Sequence, residues 1–103
     1  MLRIIEQEGE RSLTFRLAGK LVREWAPELK YCWQRAIAGQ QLDAVKVDLT
    51  DVTFVDDAGK QLLAAMARAG VELIAADVLM KALVEQIAQG MSFNEESTME
   101  SAG

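Results

Sequence analysis

The residues of this chain that could do chemistry are concentrated in one acidic stretch, residues 48–59. Asp48 and Asp51 precede an apolar pair, and Asp56 and Asp57 follow it. Carboxylates this close together could bind a hard cation such as Mg²⁺ or Ca²⁺, which prefers oxygen ligands. The spacing is not that of a calcium-binding EF-hand loop, however, and Asp48 is predicted to end a strand. We therefore expect no metal site.

Nucleophilic and acid–base catalysis need groups that this sequence lacks. Histidine is absent, which removes the usual general base and the commonest metal ligand. The single cysteine, Cys32, lies on the apolar side of a predicted helix and is expected to be a buried hydrophobic residue. One cysteine cannot form a disulfide within the chain, which is typical of a reducing compartment. We predict a protein that is not an enzyme and needs no cofactor.

The composition is that of one soluble globular domain. Half of the 103 residues are hydrophobic, and the formal net charge is −5. Glu95, Glu96 and Glu100 supply three of those charges, so the rest of the chain is nearly neutral and offers no basic surface for nucleic acid. No segment has the roughly 20 apolar residues of a membrane span, and the first residues lack the apolar core of a signal peptide. A cytoplasmic location is expected.

Hydrophobic periodicity predicts the elements that must position the acidic stretch. The predicted strands are 2–8, 12–18, 44–49 and 71–75, and the predicted helices are 23–38, 57–69 and 78–88. Gly9 is expected to adopt the unusual backbone angle of a hairpin turn, Gly19 to end the second strand, and Pro27 to lie in the first turn of a helix. The order predicts an α/β fold, a small mixed β-sheet with an N-terminal β-hairpin followed by βα units, with helices packed on the sheet.

Several helical residues are assigned to the core by their spacing. Trp25 and Trp33 are expected to pack inside, although one of them could instead anchor an interface. The apolar side of the third helix is predicted to contain Leu79, Ala82, Leu83 and Ile87. The domain is predicted to span residues 1–90, and residues 91–103 are predicted to be a disordered acidic tail.

The order of elements and the acidic stretch resemble the STAS domain, which bacterial anti-sigma-factor antagonists share with the cytoplasmic ends of sulfate transporters. Residues 47–59 read VDLTDVTFVDDAG, close to the family form hydrophobic-D-L-S-x-V-x-F-hydrophobic-D-S-S/A-G. Residues 17–21, LAGKL, are similar to the strand, glycine and leucine that precede the first helix of that family. The resemblance covers residues 1–90.

In the regulatory branch of that family, the residue after the motif aspartate is a serine or threonine. A partner kinase, itself the anti-sigma factor, phosphorylates it. The corresponding residue here is Asp57, which has no hydroxyl group, and neither Ala58 nor Gly59 has one. Asp57 could mimic the phosphorylated, weakly binding state, or it could make a constitutive contact, and we favour the second interpretation. Asp56 is interpreted chiefly as the cap of the helix that follows.

The resemblance implies a bacterial, non-enzymatic protein that binds other proteins in signal transduction and transcription regulation. Its partner would be a GHKL-type anti-sigma kinase in a partner-switching circuit. Stand-alone STAS proteins also resemble accessory subunits that dock on the cytoplasmic ATPase of an ABC lipid transporter, and this alternative stays open. The predicted partner-binding residues are Asp51, Thr53, Asp56, Asp57, Ala58, Gly59, Lys60, Gln61, Ala64 and Arg68. The family often adds a further strand and helix that are not predicted here, so an exposed sheet edge could support a homodimer.

Overall fold

The computed structural model describes residues 1–39 and 41–89. The elements, in chain order, are β1 (Leu2–Gly9), β2 (Ser12–Leu21), α1 (Ala26–Gly39), β3 (Ala44–Val55), α2 (Asp57–Arg68), β4 (Glu72–Ile74) and α3 (78–89). This is the predicted order. The predicted tail, residues 91–103, lies outside the described residues.

The four strands form one mixed sheet in the order β1-β2-β3-β4. β1 and β2 form an antiparallel hairpin at one edge, whereas β2 with β3 and β3 with β4 are parallel. Parallel neighbours need a crossover connection, which α1 and α2 supply. The predicted α/β fold class is confirmed.

One face of the sheet holds the hydrophobic core. Alternate residues of β2 are buried on this face, and apolar residues of all three helices belong to the same cluster. The most deeply buried side chains are Leu13, Phe15, Leu17, Leu21, Leu29, Val47, Leu49, Leu63 and Met66. Trp25 and Trp33, predicted to pack inside, are only half-buried and lie against the edge of the cluster. The other residues of the central strands are largely polar, the pattern of a sheet with one buried face.

Two predictions about glycines are wrong. The positive φ in the hairpin turn belongs to Arg11, at 58°, and not to Gly9. β2 does not end at Gly19 but continues to Leu21. Gly19 has a φ of 101°, and the register between β2 and β3 shifts beside it. The glycine therefore accommodates a bulge while the two strands stay paired.

The largest difference from the sequence-based prediction concerns the acidic stretch itself. The strand predicted to end at Leu49 continues to Val55, so the predicted loop is mostly strand. Thr50 and Asp51 are both exposed, which breaks the alternation. The break is a bulge, because the register with β2 shifts just before Asp51. The chain therefore stays paired up to the residue before Asp56.

The helices differ from the predictions in detail. α1 begins later than predicted, at Ala26, because residues 23–25 form a turn, and Pro27 lies in its first turn as expected.

In α3 the buried side chains are Met80, Leu83 and Ile87. Leu79 is 79% exposed and Ala82 is also exposed, so their assignment to the core is wrong. Both lie outside the row at positions 80, 83 and 87 that faces the sheet. No helix in the described part of the chain is long and apolar enough to cross a membrane.

Candidate functional site

The candidate site lies where the two central parallel strands end side by side. Leu21 of β2 is the register partner of Val55 of β3. After these residues the chain enters the turn before α1 on one side and α2 on the other. The Asp56 N–H donates to the Leu21 carbonyl oxygen at 3.2 Å. The carboxyl edge of a parallel sheet is a frequent place for binding sites, because loops and helix starts converge there.

Asp56 is the N-cap of α2, as the sequence indicates. Its Oδ1 accepts from the Gly59 N–H at 2.8 Å, and its Oδ2 accepts from the Arg23 N–H at 2.9 Å. These two hydrogen bonds, the one from Gly59 foremost, hold the pKa of Asp56 below its usual value. Both carboxylate oxygens are therefore engaged in joining the start of α2 to the segment before α1.

Removing this carboxylate should weaken the junction. We expect Asp56→Ala to lower the melting temperature by about 5 °C, measured by circular dichroism, because two backbone N–H groups lose their acceptor. Asp56→Asn keeps an acceptor for the Gly59 N–H but not for the Arg23 N–H. Its melting temperature should therefore lie between those of Asp56→Ala and the wild type. Asp43→Ala, which breaks only an exposed ion pair with Arg11, is the control and should change little. Equal melting temperatures for Asp56→Ala and the wild type would refute the capping role.

Asp48 and Asp51 belong to a different surface, the polar face of the sheet. Arg16 Nη2 lies 3.5 Å from Asp51 Oδ2, and Arg16 Nε lies 4.0 Å from Asp48 Oδ2. Thr50 donates its hydroxyl and its N–H to Asp48 Oδ1, and the hydroxyl bond above all holds the pKa of Asp48 below its usual value. Asp56 lies five positions after Asp51 along the chain, which is about 16 Å in a strand. The structure therefore does not bring all four aspartates together, and within residues 1–39 and 41–89 no acidic group is arranged to hold a metal ion.

The lowered pKa values of Asp48 and Asp56 predict acid sensitivity. The unfolded chain binds more protons than the folded chain near the usual aspartate pKa. The stabilisation that these two carboxylates contribute is therefore present above about pH 4 and is lost as the pH falls below it. We expect the melting temperature to fall between about pH 5 and pH 3 in a calorimetric series. Asp56→Asn removes one contributor and should show a shallower fall. An identical slope in wild type and variant would contradict this assignment.

Gly59 and Thr53 are held against β2. Gly59 is buried, and a Cβ on it would lie 2.3 Å from the Leu21 carbonyl oxygen and 2.8 Å from Val55 Cγ1. The start of α2 therefore approaches β2 closely, and Gly59 shapes the site without presenting a side chain. The Thr53 hydroxyl donates to the Gly19 carbonyl oxygen at 3.2 Å, from an exposed position on β3 before the turn.

The exposed side of α2 presents the remaining predicted residues together, except Ala58, which is half-buried. Asp57 is the first residue of the helix, and Gln61, Ala64 and Arg68 follow at spacings that place them on the same side. We call this surface the Asp57 face and define it as Asp57, Lys60, Gln61, Ala64 and Arg68. In the described part of the chain, the Asp57 carboxylate forms no hydrogen bond or ion pair. A shallow depression of about 360 Å³ separates it from Arg23.

The family model described as "Mlab, STAS domain" matches residues 5–91, which include the site and nearly all of the sheet. The chain belongs to the STAS domain family. No curated protein matches its sequence.

Solved structures with the same fold are named as anti-sigma factor antagonists. One from Mycobacterium paratuberculosis has a TM-score of 0.75 and 16% identity, covering 89% of this chain and 82% of that one. The anti-sigma factor antagonist SpoIIAA in its unphosphorylated form has a TM-score of 0.66 and 18% identity, covering 82% and 83%. A STAS domain from Rhodobacter sphaeroides has a TM-score of 0.51 and 18% identity, covering 73% and 85%. At these identities the similarity shows a shared fold.

The structure of this STAS domain adds two residues that sequence reasoning did not assign to the site. Arg23 lines the depression beside Asp57 and donates its N–H to Asp56. Phe54 is 53% exposed, just before the turn, although the sequence pattern groups it with buried Val55. The bulge in β3 changes which residues face outward. The exposure of Phe54 could therefore have been predicted only from the register in which the residues after Val52 pair with β2.

Cys32 of the STAS domain is half-buried in α1. Burial raises the pKa of its thiol, and the nearby negative charge of Glu6 raises it further. The thiol therefore stays protonated near neutral pH, which suits a packing residue and not a nucleophile.

Proposed function

We propose that this STAS domain is a non-enzymatic regulator that binds a protein partner through the Asp57 face. The contrast between two neighbouring aspartates carries the proposal. Asp56 has both carboxylate oxygens engaged in hydrogen bonds, whereas Asp57 is exposed and has no partner among the described residues. An exposed charge on a rigid helix start is available to a partner at little cost in conformational entropy.

The chemistry of the Asp57 face suits a small protein interface. Ala64 provides a smooth centre, while Asp57, Lys60 and Arg68 place charges of both signs around it. Such charges set the orientation of a partner and the rate of association. Asp51 and Thr53 lie on β3, before the turn, so a partner that also contacts them would have to extend past the turn.

We propose that the partner is a GHKL-type anti-sigma kinase and that the domain acts as an anti-sigma-factor antagonist in a partner-switching circuit. The fold shared with proteins of that name supports this proposal. By the resemblance of residues 47–59 to the family motif, Asp57 corresponds to the phosphorylatable residue, but it carries one negative charge, against about −1.5 to −2 for a phosphoserine. We propose that it makes a constitutive contact and that phosphorylation at this position does not regulate binding.

The second candidate function is docking on the cytoplasmic ATPase of an ABC lipid transporter. The observation that favours it is again Asp57, because a structural subunit needs no phosphorylatable residue. The same face would serve both functions, so the identity of the partner distinguishes them.

Co-purification from the native cell, followed by titration of the purified partner, tests the proposal. Recovery of a GHKL-type kinase would support the role of antagonist, and recovery of a transporter ATPase would support the role of accessory subunit. Asp57→Ser should weaken binding about tenfold in calorimetric titration if the carboxylate makes a constitutive contact, and should strengthen it if Asp57 mimics a phosphate. Glu10→Ser, which removes a carboxylate from the turn before β2, should have no effect. Unchanged affinity for Asp57→Ser would exclude both interpretations.

A further inference from the structure

An apolar groove between α1 and α2 continues from the Asp57 face. The depression at its near end has a volume of about 450 Å³. Its apolar lining includes Trp33 from α1 and Ala58, Leu62 and Ala65 from α2. Ala58 and Gln61 line both this groove and the depression beside Asp57, so the two surfaces are continuous.

The groove is long enough for a helix. Trp33 also lines a second depression of about 380 Å³ at the far end, together with Ile37 and Ala69. On α1 the lining row runs from Ala26 to Ile37, about 16 Å at 1.5 Å per residue, or three helical turns. Ile37 is 46% exposed, a large apolar side chain at the open end of this row. Parallel rows at helical spacing on two neighbouring helices, apolar except for Lys30 on α1 and Gln61 on α2, form the kind of groove in which amphipathic helices bind.

The charge at the near end of the groove selects one sign of partner. Arg23 and Lys30 line this depression, and no acidic residue is among the described residues that line it. Acidic residues line the neighbouring depressions, Asp56 and Asp57 beside the near end and Asp43 at the far end. The basic charge is therefore confined to the α1 side of the near end. Neither basic side chain forms an ion pair within the described residues, where the ion pairs involve Arg11 and Arg16. A partner with carboxylates at this end would gain favourable electrostatic contacts and faster association.

We infer that this groove binds an amphipathic helix of the protein partner. The helix places an apolar row against Trp33, Leu62 and Ile37, and it carries Asp or Glu side chains at the end beside Arg23 and Lys30. This inference rests on the proposed function, because it assumes that the Asp57 face brings the partner to the domain. It adds the chemistry of the partner segment and a second contact region.

Site-specific photo-crosslinking of the full chain in its native cell tests the inference. A benzoylphenylalanine replaces Lys30 or Ile37 in the groove, Gln61 on the Asp57 face, or Tyr31 as a control. Tyr31 is 62% exposed on α1 and does not line the groove. Mass spectrometry identifies the crosslinked peptide. We expect the groove positions to capture one acidic, amphipathic segment of the same protein that Gln61 captures, and Tyr31 to capture none.

A synthetic peptide of the captured segment then gives the contribution of charge. We expect Lys30→Glu to raise the Kd of this peptide about tenfold, and exchange of the facing peptide carboxylate for lysine to restore it. Lys81→Glu on α3, a matched change away from the groove, should leave the Kd unchanged. An unaltered Kd for Lys30→Glu would overturn the inference.

The remaining crosslinking outcomes separate this inference from the proposed function. Capture from Gln61 without capture from Lys30 or Ile37 overturns the groove inference and leaves the proposed function standing. Capture from none of these three positions overturns both. Capture of residues 90–103 of this chain, or of a second copy, by the groove positions overturns the inference in favour of a different occupant.

Discussion

Replacing Gly59 with alanine is expected to lower the free energy of unfolding by about 3 kcal/mol, the upper end for overpacking in a tight site. The added Cβ would lie 2.3 Å from the Leu21 carbonyl oxygen. That oxygen cannot move away easily, because it accepts the hydrogen bond from Asp56 N–H that joins the two strand ends. Relieving the clash would therefore require the main chain of β2 and the start of α2 to shift relative to each other.

Urea unfolding followed by circular dichroism measures this loss. Gly39→Ala is the matched control, because a Cβ on Gly39 has no heavy atom within 4 Å in the described structure. Alanine there should leave stability unchanged or raise it by up to about 1 kcal/mol, since alanine favours helix more than glycine does. If the two variants were equally stable, α2 would not be seated on β2 as the structure shows.

Reversing the charge at Asp57 should have the largest effect on partner binding. We expect Asp57→Lys to raise the Kd for the purified partner about 100-fold, because a contact built for a carboxylate would then face a like charge. The helix loses a favourable charge at its first turn, which costs at most about 1 kcal/mol of stability. Binding should therefore fall far more than stability does.

Glu10→Lys provides the control with the same change in charge. Glu10 lies in the turn before β2, and the whole length of that strand, about 30 Å, separates it from the edge where Asp57 lies. The Kd of the Glu10→Lys variant for the purified partner should match that of the wild type at the same salt concentration. An equal loss of affinity in both variants would indicate a long-range electrostatic effect. An unchanged affinity in Asp57→Lys would refute the role of the Asp57 face.

Much of the site was predictable because its determinants are local. The start of α2 and the capping by Asp56 depend on residues within one turn of helix. Capping chemistry and hydrophobic periodicity act over such short distances, so the residue types alone indicate them. The order of strands and helices followed from the same periodicity. The need for glycine at position 59, in contrast, comes from the Leu21 carbonyl oxygen of β2.

The extent of β3 was not predictable in the same way. Its alternation breaks at Thr50 and Asp51, and in a sequence such a break looks like the beginning of a loop. Pairing with β2 continues past the break, and Arg16 forms ion pairs with both Asp48 and Asp51 from the neighbouring strand. These contacts join residues that are more than 30 positions apart, so no local pattern contains them.

The α/β class, the order of the elements and the helix start that bears Asp56 and Asp57 follow from the residue types alone, because they depend on hydrophobic period and cap chemistry. Which aspartates share a surface depends instead on how the strands and helices pack. This packing places Asp51 with Arg16 on the polar face, leaves Asp57 exposed, and forms the groove between α1 and α2. Strand register and helix packing set these distances, and both arise from contacts between segments that are remote in the chain.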